Sequence, residues 1–217
     1  MLLRDETTFD DAFRASAGPG WNTQHVGQPR GEHWLNTWFT GHYFQKTRLY
    51  EVPPWDLLVW HAPQPGCKLS VAETPEKTPF NVDLFATRYA WEGDVRPGQR
   101  RQFVQVLLPH APMRDASPLA AGIEALANRP GLTALEVAQG RRCELCVLNP
   151  QGHQFETETK SAGQLRTDAR AVYLDLDNGQ VRRALAIGGT HLGLGSSELF
   201  RSAERRDFEK PGAAEPE

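Results

Sequence analysis

Polar and apolar residues alternate over short runs along most of this chain, which is the pattern of half-buried β-strands. Six such runs are bounded by Gly, Pro or Asn: WDLLVW (55–60), QFVQVLLP (102–109), LTALEVA (132–138), CELCVLNP (143–150), RAVYLDLD (170–177) and VRRALAIGG (181–189). In AVYLDLD the alternation places Val172, Leu174 and Leu176 on one face, and a tyrosine and two aspartates on the other. One apolar and one polar face indicate an antiparallel sheet with one covered side.

Two short segments between these runs predict β-hairpins. Asn178-Gly179 joins AVYLDLD to QVRRALAI, and both residues readily adopt the positive φ angles of a two-residue turn. The chain from Ala171 to Ile187 is therefore predicted to be one antiparallel hairpin. A second turn is predicted near Gln139-Gly140, between LTALEVA and CELCVL.

One helix is predicted, over about residues 118–128 within SPLAAGIEALANRPG. Ser117 suits the N-cap, Pro118 suits the first helical position, and Pro130-Gly131 would end the helix. Strands and helices do not alternate repeatedly, so a parallel doubly wound sheet is disfavoured. The predicted fold is all-β: an antiparallel β-sandwich with one short helix.

The sandwich is predicted to occupy residues 1–202 as a single domain. Residues 203–217 are rich in charge and contain one aromatic residue, so they are predicted to be a disordered tail. Met1 lies only two residues before what looks like the end of a strand, LLRDE. We therefore expect the chain to be a fragment of a longer protein.

The charge balance excludes several classes of partner. The chain has 24 basic and 27 acidic residues, well mixed, and a formal net charge of −3. Without a basic region to attract phosphates, nucleic-acid binding is not expected. No run approaches the roughly 20 apolar residues of a membrane span, and no signal peptide opens the sequence, so no membrane partner is expected.

Cysteines and histidines do not indicate a metal site or a cofactor. Cys143 and Cys146 form a C-x-x-C motif, but a spacing of three places them on opposite faces of a strand, so we expect ordinary packing cysteines. Four histidines in the first third of the chain lack any local metal-ligand spacing: His25, His33, His42 and His61. A metal-dependent β-barrel enzyme that uses these histidines remains an alternative.

The glycine-rich segment GTHLGLGSSELF does not match a catalytic or phosphate-binding loop. It lacks the G-x-S-x-G motif of a serine nucleophile and the lysine of a phosphate loop. Gly188, Gly189, Gly193 and Gly195 are instead predicted to let the chain turn and bulge at a sheet edge.

The stretch GPGWNTQHVGQPRGEHWLNTW combines large aromatic faces with planar hydrogen-bonding groups. Sugar recognition needs this combination, because aromatic rings pack on the C–H face of a sugar while polar groups bond to its hydroxyls. Asn22, Gln24, His25 and Trp34 are the predicted substrate-binding residues. The alternative is that the tryptophans fill the sandwich core.

The roles within this stretch, Gly18–Trp38, are predicted to be divided. Trp21 and Trp38 are expected to be buried, because an exposed pair would form a large apolar patch. Gln24 and His25 are expected to face a concave rim.

The order of the strand-sized pieces resembles a known enzyme family. LLRDE, GPGWNTQHV, WDLLVWHAP, FVQVLLPH, a short helix, LTALEV, CVLNPQG, TDARAVYLDLDNG and GGTHLGLGSSELF are similar to the distal β-sheet region of heparinase II/III-like polysaccharide lyases. The resemblance covers about residues 2–202. Its most characteristic pieces are TDARAVYLDLDNG and the W-x-x-Q of Trp21–Gln24.

The resemblance implies a function in the cleavage of acidic polysaccharides by β-elimination, in which a base removes the proton next to a uronic carboxylate. It implies that the chain supports a cleft formed with a missing N-terminal (α/α) toroid domain, and that the parent protein is periplasmic or secreted. The family's catalytic residues lie on the toroid, and its H-x-x-H-x-D-like segment has no counterpart here. No catalytic residue is therefore assigned, and we expect the chain alone to be inactive.

A second function class remains open beside the lyase portion. The chain could be a non-catalytic carbohydrate-binding or interaction β-sandwich module.

Overall fold

The computed structural model describes residues 21–26, 55–74, 84–110 and 115–212. In chain order, the described elements are β1 (Trp21–Val26), β2 (Trp55–His61), β3 (Cys67–Thr74), β4 (Leu84–Trp91), β5 (Gln105–His110), α1 (Ser117–Ala121), β6 (Ile123–Arg129), β7 (Leu132–Gln139), β8 (Arg142–Leu148), β9 (Phe155–Thr159), β10 (Gly163–Thr167), β11 (Ala171–Asp177), β12 (Gln180–Leu194) and β13 (Ser197–Lys210). Every strand pairing among them is antiparallel. This confirms the predicted all-β class with one short helix.

The chain divides into two compact units, where the sequence predicted one domain. The first unit comprises residues 1–94 and 105–116, and the second comprises residues 95–104 and 117–217. In the first unit, the described strands form a three-stranded sheet in the order β1-β2-β5 and a two-stranded sheet of β3 and β4.

The second unit is built on one large sheet. Its strands follow the order β6-β7-β8-β11-β12-β10-β9, and β13 also pairs with β12. Along one side of β12, the first half of the strand pairs with β11 up to Ile187. The second half pairs with β10 from Leu192 onward. Gly188, with a φ of 63°, lies where the register of β12 against β13 shifts. This bulge separates the two halves of the strand.

The alternation predicted for β11 is confirmed. Val172, Leu174 and Leu176 are at most 4% exposed and lie in the core of the second unit, whereas Tyr173 and Asp175 on the other face are partly exposed. The largest fully buried aliphatic side chains of this core are Leu145, Leu165, Leu174, Leu176 and Leu192.

The two cysteines of the C-x-x-C motif lie on opposite faces of β8, as the strand spacing predicted. Cys143 is buried in the core, while Cys146 is only half-buried, and both are free thiols. Burial raises the pKa of the Cys143 thiol to about 11, so the thiol is protonated at neutral pH. These cysteines therefore act as small packing residues.

Both predicted hairpin turns are present. Asn178 and Gly179 have φ angles of 51° and 75°, which is the positive pair that a type I′ turn requires. Gly140 has a φ of 61°, whereas the φ of the following Arg141 is not positive. This combination fits a type II′ turn.

The predicted helix over residues 118–128 is much shorter in the structure. α1 ends at Ala121, and the chain continues as strand β6. The physical reason is the backbone at Gly122, whose carbonyl accepts a 2.8 Å hydrogen bond from the Ala138 amide and so opens the pairing with β7. The apolar spacing of the segment fits a helix, but tertiary pairing outweighs that local preference.

Pro130-Gly131 therefore does not end a helix. It forms the turn between β6 and β7, where Arg129 pairs with Leu132. Gly131 has a φ of 81°, which is typical of the third residue of a type II turn that has proline before it.

Part of the segment predicted to be a disordered tail forms a strand, and residues 213–217 lie outside the described residues. β13 continues through residues 203–210 and pairs with the first half of β12. Phe208, the aromatic residue of the segment, stacks on Phe200 with a centroid distance of 5.0 Å. Cross-strand pairing and this contact order a segment whose composition alone is typical of disorder.

Candidate functional site

Three of the four predicted substrate-binding residues lie together on β1. The backbones of Asn22, Gln24 and His25 pair with β2, opposite Val59, Leu57 and Asp56 respectively. Their side chains lie outside the described part of the structure. Trp34 also lies outside the described residues, so the predicted site stays a prediction.

The predicted burial of two tryptophans cannot be compared with the structure. Trp21 opens β1 opposite Trp60, but its side chain is outside the described part, and Trp38 lies outside the described residues altogether.

A different surface, on the second unit, has the features of a binding site. It is an open groove of about 670 Å³. We call it the Arg166 groove. It is lined by Gln154, Phe155, Glu156, Arg166, His191, Leu192, Gly193, Ser196, Glu198 and Arg201.

Strand alternation explains why this groove lies on the outer face of the sheet. Leu165 and Thr167 are buried on either side of Arg166, and Leu192 and Leu194 are fully or almost fully buried on either side of position 193. The residues between them therefore face away from the core. Arg166 pairs directly with Gly193 across β10 and β12, so the residue opposite the arginine has no side chain.

The missing side chain at Gly193 forms the floor of the groove. A Cβ atom built on Gly193 would lie 3.4 Å from Nη2 and 3.5 Å from Nε of Arg166. The guanidinium group therefore lies across the glycine. In this position its Nη2 donates a 3.1 Å hydrogen bond to the Gly195 carbonyl.

Arg166 retains unused hydrogen-bonding capacity. Its Nε is buried and has no partner among the described residues. Two glutamates lie nearby, but each has another described partner: Glu156 accepts from Gln164, and Glu198 forms an ion pair with Arg201. Within the described part of the chain, Arg166 forms no ion pair, so its positive charge is available to a ligand.

His191 lies two residues before Gly193 on β12, next to the buried carboxylate of Asp168. Its Nδ1 lies 3.3 Å from Oδ1 of Asp168. A carboxylate at this distance favours the proton on Nδ1, which leaves Nε2 as the nitrogen available to a ligand.

Asp168 is itself held by three hydrogen bonds. It accepts from the Thr190 amide at 2.7 Å, from the Thr190 hydroxyl at 2.8 Å and from the His191 amide at 3.1 Å. Burial alone would raise the pKa of Asp168, but these hydrogen bonds, together with His191, lower it below its ordinary value. The carboxylate is therefore ionised at neutral pH and positions the imidazole.

Arg205 forms hydrogen bonds to backbone carbonyls around Asp168. Its Nη1 donates to the carbonyls of Asp168 and Gly188, at 3.0 and 2.7 Å, and its Nη2 donates to the Gly152 carbonyl at 2.7 Å. Three chain segments thus meet at one guanidinium group. We infer a structural role for Arg205, since its donors are used within the protein.

A second polar cluster, in the first unit, is enclosed in the core. His61 is 1% exposed, and its Nδ1 lies 3.1 Å from Nε2 of Gln105. Burial lowers the pKa of His61, which favours the neutral imidazole. Tyr89 packs against this ring and donates a 2.7 Å hydrogen bond to the Ala62 carbonyl. This arrangement is that of a packed core histidine.

Neither a metal-binding cluster nor a membrane-spanning helix is found among the described residues. They contain no group of three or more His, Cys, Asp or Glu side chains that could hold a metal ion. None of the helices formed by the described residues is long and apolar enough to cross a membrane.

Sequence reasoning did not identify Arg166, His191 or Arg201, although part of the signal was present. In HLGLG, alternation alone places His191 and Gly193 on the face opposite the two leucines. The predicted turns and bulges are confirmed: Gly188, Gly189 and Gly193 lie at register shifts between β12 and β13, and Gly195, with a φ of 56°, lies in the turn between them. The predicted sheet edge is wrong, because β12 is paired on both sides. The pairing of β10 with β12, which joins Arg166 to a residue 27 positions later in the sequence, has no local signal.

The comparisons with known proteins are negative. No protein-family model matches the chain, and neither a curated protein nor a solved structure matches it. A function for this chain must therefore be inferred from its own residues.

Proposed function

We propose that the chain binds acidic polysaccharide and forms the β-sheet portion of a heparinase II/III-like lyase. The observation that carries the proposal is the Arg166 groove, where an arginine that forms no ion pair with any described residue lines an open groove on an antiparallel sheet. The resemblance of the strand-sized pieces to that family supports the same function.

The chemistry of the groove suits a uronic-acid sugar. A guanidinium group can donate two parallel hydrogen bonds to a carboxylate, and such charge-assisted bonds are stronger than neutral ones. Gln154 and Ser196 add neutral hydrogen-bonding groups for hydroxyls. The open shape leaves the groove accessible to a polymer.

The chain is proposed to support the cleft rather than to perform the elimination itself. β-Elimination requires a base, a group that neutralises the carboxylate and an acid for the leaving oxygen, all converging on one sugar. The resemblance places the family's catalytic groups on the toroid domain. Incubation of the chain with heparan sulfate, alginate, hyaluronan or chondroitin is therefore expected to give no ultraviolet absorbance from unsaturated product.

Binding is the direct test of the proposal. The purified chain is expected to be retarded in affinity electrophoresis by uronate polysaccharides, such as hyaluronan and alginate, and not by neutral dextran. The retardation should weaken as salt is added, because exposed charge interactions are screened. Equal migration in all the gels would contradict the proposal, as would turnover that a substitution within this chain abolishes.

The second candidate is a carbohydrate-binding module without chemistry. The observation in its favour is that the residues of the Arg166 groove all belong to the second unit, so the groove is complete without another domain. The coding sequence upstream of Met1 distinguishes the candidates. An (α/α) toroid there favours the lyase portion, and a stop codon favours the module.

A further inference from the structure

Arg166 occupies a position that leaves part of its hydrogen-bonding capacity unused. Its Nη2 bonds to the Gly195 carbonyl, while its buried Nε has no partner among the described residues. An unsatisfied buried donor is unfavourable, because the donor has lost water without gaining another partner. The position on Gly195 therefore satisfies the guanidinium group only in part.

The guanidinium group of Arg166 is held by few side-chain contacts on the strand beneath it. Gly193 presents no side chain beneath it, and Gly195 offers only a backbone carbonyl. A small rotation of the Arg166 side chain would turn the edge that carries Nε and Nη2 toward the groove. That edge has the fork geometry that binds both oxygens of a carboxylate.

His191 is a diagonal neighbour of Arg166. Arg166 pairs with Gly193, and His191 lies two residues further along β12 on the same face. Diagonal neighbours in an antiparallel pair are separated by about 7–8 Å. A uronate residue between the two side chains could place its carboxylate on Arg166 and donate a hydrogen bond from a hydroxyl to Nε2 of His191, since Asp168 holds the imidazole proton on Nδ1.

We propose that Arg166 and His191 form a subsite for one uronate residue, in which Arg166 leaves the Gly195 carbonyl to bind the carboxylate and Nε2 of His191 accepts from a hydroxyl of the same residue. This inference deepens the proposed binding of acidic polysaccharide and rests on it. Asp168 acts in the subsite as a positioning residue.

The charges around the subsite favour a sparsely charged uronate chain over a densely sulfated one. Glu156 and Glu198 lie beside it, opposite Arg166 and Gly193 respectively. Both have described partners, so neither neutralises Arg166. Together they repel a ligand of high negative charge density. A carboxylate and a sulfate ester each carry one negative charge, so the difference comes from the number of charges along the polymer.

The test compares three oligosaccharides by calorimetric titration of the full chain. The first is a hyaluronan hexasaccharide, which has carboxylates and no sulfates. The second is the same hexasaccharide with its carboxyl groups reduced to alcohols, and the third is a sulfated galactan oligosaccharide without carboxylates. The hyaluronan hexasaccharide is expected to bind about tenfold or more tightly than either of the others.

Substitutions of Arg166 test whether this residue is responsible for hyaluronan binding. Arg166→Gln and Arg166→Lys are both expected to weaken hyaluronan binding about tenfold, because lysine keeps the charge but loses the planar fork. Arg183→Gln is the matched control: it removes the same charge from an exposed ion pair with Glu209, and binding should not change. The Arg166 Nε–H resonance of the unaltered chain should also shift during titration with D-glucuronate, a measurement that depends on no variant.

The outcomes separate this inference from the proposed function. If hyaluronan binds but Arg166→Gln behaves like Arg183→Gln, the subsite is wrong while polysaccharide binding stands. If no polysaccharide binds but D-glucuronate shifts the Arg166 Nε–H resonance, the subsite stands and the proposed function fails. Equal binding of the carboxyl-reduced or sulfated oligosaccharide would overturn the assignment to carboxylate.

Discussion

At the scale of single residues, Asp168 links the stability of the second unit to the geometry of the groove. It is 4% exposed, it accepts three hydrogen bonds from Thr190 and His191, and it lies 3.4 Å from Nη2 of Arg205. Its negative charge is therefore well compensated inside the protein. This explains why its pKa is lowered despite burial.

Asp168→Asn is expected to lower the free energy of unfolding at pH 7 by about 2 kcal/mol, the typical contribution of a hydrogen-bonded charged group. The folded-state pKa lies below the ordinary value of 3.8, so the ionised carboxylate stabilises the fold fully above pH 3.8. That contribution is lost as the pH falls further, through the folded-state pKa. Urea unfolding of both proteins from pH 7 to pH 2.5 measures the difference.

The difference between the two proteins should shrink below pH 3.8, because the variant has no carboxyl group to titrate. A difference that stays constant down to the acid unfolding transition would contradict the assigned charge state of Asp168.

The alternation of buried and exposed residues along a strand could be predicted from the sequence. The proximity of residues on strands that are distant in sequence could not. The buried face of β11 and the opposite faces of Cys143 and Cys146 follow from a period of two. Arg166 and His191 also alternate with buried neighbours, yet their proximity depends on the pairing of β10 with β12. Pairing between distant segments leaves no mark in a local pattern.

At the scale of elements, Gly122 decides where α1 ends and β6 begins. A Cβ atom on Gly122 would lie 2.1 Å from the Ala138 carbonyl oxygen, which is backbone and cannot move aside cheaply. Gly122→Ala is therefore expected to destabilise the fold by about 1–3 kcal/mol, as overpacking does. A helix over residues 118–128 predicts the opposite sign, a gain of about 1 kcal/mol.

Thermal and urea unfolding of Gly122→Ala measure that sign directly. Gly131→Ala is a useful companion, because its Cβ would meet no atom within 4 Å and only the φ of 81° opposes it. A stabilised Gly122→Ala protein would show that β6 is assigned wrongly.

The β11–β12 turn gives a second prediction at this scale. Gly179 has a φ of 75°, a conformation that β-branched residues resist. Gly179→Val is expected to cost about 1–2 kcal/mol in the free energy of unfolding. An unchanged urea midpoint would mean that the turn is not the type I′ turn inferred from these angles.

Sequence patterns predicted the apolar strands well and the polar strands poorly. β7, β8, β11 and the first half of β12 carry clear apolar alternation, and all four are present. FETET, GQLRT and most of SELFRSAERRDFEK are polar, so β9, β10 and β13 had little local signal. These polar strands line the Arg166 groove, which is why the groove could not be predicted.

At the scale of the whole molecule, the net charge of −3 gives no general attraction for a polyanion. Binding of an acidic polysaccharide must therefore come from a local arrangement of cations. Two surfaces compete for that role: the Arg166 groove on the second unit, and the β1 strand that carries Asn22, Gln24 and His25.

Backbone amide chemical-shift mapping with a hyaluronan hexasaccharide locates the surface that binds acidic polysaccharide, on the entire chain and without a substitution. The account predicts saturable shifts concentrated at residues 154–156, 164–168, 191–196 and 198–201, and no comparable shifts with the carboxyl-reduced hexasaccharide. Shifts confined to β1, or no saturable shifts at concentrations where acidic polysaccharide retards the chain, would contradict it.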